Sequence, residues 1–239
     1  MEHCIKNIFL DAGGVILNES SFEEKSADLI TEIINDYNSS YSLSGYWSDV
    51  EEAVYRFVPK VYDYILYKNI DNINDYTKAK DLYKKNLKKA NLEFQLMDGI
   101  KDFLMAFSDV YQIGILGQYG KDFKEYLEET NVLRYFTFTE IQDNYDLTKP
   151  DPRYFAAILN SCECKAAESI MIGDRIDKDI IPAKMTRMKT IRLKTGLHKN
   201  QEPRIPEEIP DLTVEKIKDI KPEFVKTIES KSRMRYNAK

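Results

Sequence analysis

The feature that most constrains the fold is the alternation of short apolar segments with helical segments in the second half of the chain. Apolar runs such as 113–116 and 169–173 have the length of buried strands, and segments of about ten residues with helical periodicity separate them. Strands that alternate with helices in this way form βαβ units with right-handed crossovers and a parallel sheet. We predict strands at residues 5–10, 111–116, 169–173, 189–193 and 211–214, and helices at 99–107, 121–132, 151–162 and 179–188.

Residues 19–94 interrupt this pattern between the first predicted strand and the rest of the chain. Apolar residues such as Leu29 and Ile33 recur there every three to four residues, which is typical of amphipathic helices. The segment is also rich in tyrosine, which favours the core of a helical bundle over a stacking or apolar-substrate pocket. We therefore predict an α/β protein, with a Rossmann-like parallel sheet core at residues 1–18 and 95–239 and an all-helical cap domain at 19–94.

Composition and charge are those of an ordinary globular protein. No run of about 18 apolar residues is present to span a membrane, and the N-terminus does not resemble a signal peptide, so we expect a cytoplasmic protein. The net charge of −5 argues against a nucleic-acid partner. The three cysteines are expected to be reduced thiols, because Cys162 and Cys164 have no second Cys or His pair at the spacing of a zinc site.

Four candidate site residues lie just past the predicted strands, namely Asp11, Gly117, Gln118 and Asp174. Lys149 lies just before the helix predicted at 151–162. Taken singly, the charged residues among them have ordinary explanations. Asp11 is then a turn residue, Asp174 a helix cap and Lys149 an exposed loop lysine. Ligands bind beyond the carboxyl ends of parallel strands, so the joint occurrence of these residues favours one functional site.

Three motifs resemble those of the haloacid dehalogenase superfamily of phosphatases and related hydrolases, over nearly the whole chain. They are FLDAGGVIL at 9–17, TKPDPRYF at 148–155 and IMIGDRIDKDI at 170–180, in the order found in that family. The resemblance implies a helical cap inserted after the first motif. It also implies Mg²⁺-dependent hydrolysis of a small phosphomonoester through an aspartyl phosphate.

The resemblance assigns a role to each acid and to the lysine of these motifs. Asp11 would be the nucleophile, and Lys149 would hold the nucleophile and the phosphoryl oxygens, so both are candidate catalytic residues. The Mg²⁺ ligands would be the carboxylates of Asp11 and Asp174 and the backbone carbonyl of Gly13. Asp179 would contact the metal through water or support its ligands.

Two positions depart from the family pattern. Gly13 stands where phosphatases of this family carry a second Asp, which serves as general acid and base and is typically worth about 10²- to 10⁴-fold in rate. Gly117 stands where a Ser or Thr donates to the phosphoryl group, and one such donor is worth about 10²- to 10³-fold. The N–H of Gly117 and the side chains of Gln118 and Lys149 remain as candidate phosphate ligands. A smaller difference is Arg187, where relatives often have Gly at a helix–strand turn.

These departures leave three functions open. The favoured one is a phosphatase slowed by the two missing groups. A second is a catalytically silent protein that binds a phosphorylated ligand or a protein partner. The third is a 2-haloacid dehalogenase, since that branch also lacks the second Asp. It needs no metal, however, and generally does not retain the acids found here at Asp174 and Asp179. We expect a small phosphorylated metabolite as the partner, no nucleic-acid or membrane partner, and a monomer or homodimer.

Overall fold

A computed structural model describes residues 4–117, 120–139, 147–226 and 228. The predicted phosphate ligand Gln118 lies outside these residues. The chain divides into two compact units. The first, which we call the sheet unit, comprises Met1–Asn18, Phe94–Thr195 and Pro203–Lys239, and the second, the helical unit, comprises Glu19–Glu93 and Gly196–Glu202.

The sheet unit contains a five-stranded parallel sheet, as predicted. Its strands are β1 (Asn7–Leu10), β2 (Gln112–Ile115), β3 (Ser169–Gly173), β4 (Lys189–Leu193) and β5 (Leu212–Val214). Their order across the sheet is β2-β1-β3-β4-β5, so β1 and β3 lie side by side at its centre. The α/β fold class with a Rossmann-like sheet is thereby confirmed.

Apolar side chains cover both faces of this sheet. Because side chains alternate along a strand, Ile8 and Ile172 pack into one apolar cluster while Phe9 and Met171 pack into another. Every residue of β1 and of β3 is buried. A parallel sheet covered on both faces explains why these strands are continuous apolar runs and do not alternate with polar residues.

The helical unit contains four α-helices, in agreement with the periodicity of its sequence. They are α1 (Ser20–Asn35), α2 (Leu43–Tyr55), α3 (Val61–Asn69) and α4 (Ile73–Lys89). The side chains of Ser42 and Asn72 cap α2 and α4 by accepting backbone N–H groups of the first turn. Tyr46 and Tyr83 are buried in the apolar core of this unit, as the core interpretation of its tyrosines predicts.

The helical unit also includes Gly196–Glu202, which the sequence-based boundaries assigned to the sheet core. The backbone N–H of Leu197 donates to Glu23 Oε1 at 3.0 Å, and the Leu197 side chain packs against the core of the helical unit. Gly196 has φ +56, and a Cβ there would lie 2.8 Å from Glu23 Oε1. These long-range contacts with α1 draw the segment into the helical unit.

The α-helices of the sheet unit include α5 (Ile100–Phe107), α6 (Lys121–Glu129), α7 (Pro152–Ser161) and α8 (Ile181–Met185), and residues 222–226 are also helical. As predicted, Asp151 caps α7, accepting the N–H of Arg153 at 2.9 Å, and Pro152 occupies the first turn. The helix predicted at 179–188 differs: a π-helical turn at Ile176–Ile180 precedes a short α8. Among the described residues, no helix is long and apolar enough to cross a membrane.

Candidate active site

Asp11 is the first residue after β1, and backbone groups hold it in place. Its N–H donates to the carbonyl of Ile172 at 2.9 Å, and its Oδ1 accepts the N–H of Ala12 at 2.8 Å. The side chain is 14% exposed, so it is shielded but still reached by solvent. A Cβ at Gly117 would lie 3.0 Å from Asp11 Oδ1. The glycine beyond β2 therefore keeps open the space beside this carboxylate.

The loop after β1 is closed by its own backbone. The N–H of Gly14 donates to the Leu17 carbonyl at 3.0 Å, and the N–H of Leu17 donates to the Ala12 carbonyl at 2.8 Å. Gly13 forms a backbone bridge with Leu17 in the same loop. Gly14 has φ +68, and a Cβ there would lie 3.0 Å from Cγ of Asp174. Both observations favour glycine at this position of the tight loop.

Two acids follow β3. Asp174 comes directly after the strand and is 6% exposed, whereas Asp179 lies in the π-helical turn and is fully buried. The turn directs Asp179 back to the end of the strand. The two residues are so close there that a Cβ added at Gly173 would lie 2.4 Å from the Cβ of Asp179. Asp179 Oδ2 accepts the N–H of Arg175 at 3.0 Å. π-Helical turns are frequent at functional sites, where the additional residue redirects a side chain.

Lys149 connects Asp11 to Asp179. Its Nζ donates to Asp11 Oδ1 at 2.6 Å and to Asp179 Oδ1 at 2.7 Å. Burial by itself lowers the pKa of the Lys149 ammonium, but the charges and hydrogen bonds of the two carboxylates outweigh it and raise that pKa. Burial raises the pKa of Asp179 to about 6; Lys149 opposes this shift and the charge of Asp11 adds to it. The site therefore holds acids that repel one another.

The three carboxylates are close enough to bind one cation. One oxygen each from Asp11, Asp174 and Asp179 lies within 4.8 Å of the others. Carboxylate oxygens are the ligands preferred by Mg²⁺, and burial of like charges favours a bound cation that neutralises them. The donor set therefore fits a hard divalent metal ion.

The structure brings together most of the predicted site residues. Asp11, Lys149, Asp174 and Asp179 form one cluster, and Gly117 lies against Asp11. Gly13 lies in the loop that follows Asp11.

Two neighbours of the site were not predicted from the sequence. Thr195 donates from Oγ1 to the Gly14 carbonyl at 2.7 Å, and Arg192, which is 2% exposed, donates from Nε to the Asp174 carbonyl at 3.4 Å. An arginine within the apolar run of β4 was a visible signal for Arg192, because a charged residue rarely occupies a buried strand. The role of Thr195 has no such signal in the sequence.

Comparison with known proteins identifies the family. The family model described as haloacid dehalogenase-like hydrolase matches residues 14–193, more than half of the chain. The chain belongs to the haloacid dehalogenase-like hydrolases. The predicted family is thereby confirmed. The match begins just after Asp11, so the position of Asp11 within the site is known from the geometry above.

Relatives within this family carry phosphatase names. A glyceraldehyde 3-phosphate phosphatase of Methanopyrus kandleri is 28% identical over 96 residues, which is 40% of this chain and 41% of the relative. The chain thus spans less than half the length of that protein. A glyceraldehyde 3-phosphate phosphatase of Pyrococcus furiosus is 24% identical over 200 residues, covering 80% of this chain and 82% of the relative. This haloacid dehalogenase-like chain is therefore similar to proteins that are named as phosphatases.

Solved structures confirm the fold. A haloacid dehalogenase-like hydrolase of Streptococcus pneumoniae superimposes with a TM-score of 0.66 at 16% identity. The superposition covers 92% of this chain and 98% of that one.

Proposed function

We propose that this chain hydrolyses small phosphomonoesters with the help of Mg²⁺ and that Asp11 is the nucleophile. The observation that carries the proposal is the convergence of Asp11, Asp174, Asp179 and Lys149 at the carboxyl edge of the sheet. In a parallel α/β sheet this edge is where ligands bind. A carboxylate nucleophile divides phosphoester hydrolysis into two steps of lower barrier.

The contacts of Asp11 suit nucleophilic attack. Lys149 and the N–H of Ala12 both bind Oδ1, and in the described part of the chain Oδ2 accepts no hydrogen bond. An oxygen of Asp11 attacks phosphorus, the bond from phosphorus to the ester oxygen breaks, and the alcohol leaves with a proton taken from solvent. Water then attacks the aspartyl phosphate, which releases phosphate and restores the carboxylate.

A Mg²⁺ ion would be held by the carboxylates of Asp11 and Asp174 and by the backbone carbonyl of Gly13. When bound, the ion offsets the repulsion between phosphate and the acids and stabilises charge that develops during phosphoryl transfer. Both oxygens of Asp179 already accept hydrogen bonds, from Lys149 and from the N–H of Arg175. We therefore assign Asp179 to orienting Lys149 and to a contact with the metal through water.

Lys149 holds a point positive charge next to the nucleophile. Its pKa is raised, so the ammonium stays charged throughout the neutral pH range and can bind phosphoryl oxygens. The backbone N–H of Gly117 is the second phosphate donor that we propose, and the missing side chain lets a phosphoryl oxygen approach Asp11 closely.

Gly13 removes the side chain that would protonate the leaving group. Such acid–base help is typically worth about 10²- to 10⁴-fold, so we expect substrates with good leaving groups to react much faster than alkyl phosphates. The relatives are named for glyceraldehyde 3-phosphate and phosphoserine, which suggests small phosphorylated metabolites as substrates. In this proposal the helical unit is the cap that selects them.

The test is a panel of phosphomonoesters that includes an activated aryl phosphate, assayed with MgCl₂ and with EDTA. We expect turnover that requires Mg²⁺ and that is lost in Asp11→Asn. Asp102→Asn makes the same chemical change at an exposed position in the first turn of α5 and should retain activity. If no member of the panel reacts faster with the wild type than with Asp11→Asn, the proposal is wrong.

A further inference from the structure

Thr195 makes a hydrogen bond that the proposed function does not yet use. The residue lies just past β4, and its Oγ1 donates to the backbone carbonyl of Gly14 at 2.7 Å. This bond joins the end of β4 to the loop after β1, although β3 lies between these strands. Asp174 lies at the end of β3, and its carboxylate packs against Gly14. The bond therefore closes the loop beside a proposed metal ligand.

Gly14 is held on both of its peptide groups. Its N–H donates to the Leu17 carbonyl at 3.0 Å, and its carbonyl accepts the Thr195 hydroxyl. The Gly14 N–H and the Gly13 carbonyl belong to the same planar peptide group. Any rotation of this group that turned the Gly13 carbonyl away would also pull the N–H off Leu17. The bond to Leu17 therefore fixes the peptide group that carries the Gly13 carbonyl, and the bond from Thr195 fixes the next peptide group, so that Gly14 is held on both sides.

We propose that Thr195 is a positioning residue whose hydroxyl, by fixing Gly14, orients the Gly13 carbonyl toward a metal ion held by Asp11 and Asp174. The inference rests on the proposed function, because it needs the metal site. It accounts for a feature of the loop that the acids alone leave unexplained: two adjacent glycines form a flexible segment, and a ligand on such a segment binds weakly unless other groups hold it. The hydroxyl of Thr195 supplies that support from another strand.

The experiment compares four substitutions in the full chain. Thr195→Val keeps the β-branched shape and removes the hydroxyl, whereas Thr195→Ser keeps the hydroxyl. Thr130→Val is the matched control, because Thr130 is also half-buried and its Oγ1 donates to the backbone carbonyl of Tyr126 at 2.8 Å in the sheet unit. Asp174→Asn serves as the variant with a damaged metal site.

Binding of Mg²⁺ to the metal-free proteins is measured by isothermal titration calorimetry. Binding of Mn²⁺ is measured by the loss of the electron paramagnetic resonance signal of the free ion. Loss of a group that orients a metal ligand typically weakens metal binding by about 10- to 100-fold. We expect Thr195→Val to bind both ions about 10-fold more weakly than the wild type, at the lower end of that range. Thr195→Ser and Thr130→Val should bind as the wild type does. Saturating Mg²⁺ should restore most of the turnover of Thr195→Val, which a general structural defect would not allow.

The outcomes separate the inference from the proposed function. If Thr195→Val binds both ions like the wild type while Asp174→Asn does not, the positioning role is wrong and the metal site stands. If the wild type binds neither ion, both are wrong. Circular dichroism and thermal melts establish folding, and if Thr195→Val does not fold, Thr195→Ala is compared with Thr195→Ser in the same way.

Discussion

Each unit of the molecule buries acidic side chains, but it surrounds them differently. In the helical unit, Asp49 is 6% exposed and is satisfied by three donors. Its Oδ2 accepts from the Tyr41 hydroxyl at 2.8 Å and from Asn69 Nδ2 at 2.7 Å, and its Oδ1 accepts from Lys68 Nζ at 2.5 Å. In the sheet unit three carboxylates lie within 4.8 Å of one another, and Lys149 contacts two of them.

The difference shows that burial of an acid does not by itself indicate function. A single carboxylate with a full set of donors joins α2 to its neighbours and favours folding, since removing it would leave buried donors unpaired. Several carboxylates close together oppose folding, because each raises the cost of ionising the others. Such an arrangement is understandable when the protein binds a cation there. The predictions below test this contrast.

The largest effect is expected for Asp174→Asn, which removes one acid from the sheet-unit cluster. Metal ions contribute several kcal/mol to phosphoryl transfer, so turnover should fall by at least about 10³-fold. Removing one of several like charges should leave the free energy of unfolding without metal unchanged or higher. The measurements are steady-state kinetics and thermal melts with and without MgCl₂. A large loss of stability in EDTA would show that this acid is structural, like Asp49.

The next effect concerns Gly173, the last residue of β3. A Cβ there would lie 2.4 Å from Cβ of Asp179, which is fully buried, so Gly173→Ala must displace the π-helical turn. Overpacking of this kind costs about 1–3 kcal/mol, and we expect the upper end of that range together with loss of turnover. Urea unfolding and kinetics test this. The control is Gly120→Ala, where a Cβ meets nothing within 4 Å; equal losses in both variants would contradict the clash.

Asp49→Ala tests the other side of the contrast. It leaves Tyr41, Lys68 and Asn69 without their shared acceptor, and because Lys68 is partly exposed we expect a loss of about 2 kcal/mol in the free energy of unfolding. Activity per folded molecule should change little. Lys78→Ala, which breaks an exposed ion pair with Asp75, should cost less than about 0.5 kcal/mol. Similar losses in the two variants, measured by urea unfolding, would refute the role given to Asp49.

The smallest effect is expected at Arg187, in the turn between α8 and β4. This non-glycine residue has φ 69, close to the φ of +68 at Gly14. Arg187→Gly relieves the strain of the left-handed conformation but adds chain entropy to the unfolded state, so we expect a gain of less than about 1 kcal/mol. Gly14→Ala should instead destabilise, because its Cβ would approach Asp174. Thermal melts of both variants measure the difference, and a loss of stability in Arg187→Gly would contradict the assignment of strain.

Much of the sheet unit could be predicted because its signals are local. Strands β3 and β4 have the predicted bounds, since a buried parallel strand is a continuous apolar run closed by a polar residue or a turn. Helix α7 was predictable because its signals are local too: Asp151 is the cap residue and Pro152 stands in the first turn. The π-helical turn was not, because it arises where Asp179 packs against Gly173, and helical periodicity does not record that contact.

The site was predictable as a set of residues but not as an arrangement. The motifs placed Asp11, Lys149 and Asp174 in one crevice, and the structure brings them together with Asp179. Their roles in catalysis and metal binding stay predictions for the experiments above. That Lys149 contacts both Asp11 and Asp179 depends on distances between side chains from three separate segments, which residue spacing does not encode.

The sequence by itself determined the family, the parallel sheet and the identity of the acids at its edge, because periodicity, turn residues and motif order are properties of short segments. The tertiary structure alone decided that Gly196–Glu202 packs with α1 and that Thr195 holds Gly14. The hydrogen bond between Thr195 and Gly14 spans 181 positions of the chain. Such a contact exists only because strand order brings the ends of β1, β3 and β4 to one edge, and strand order is a property of the whole packed chain.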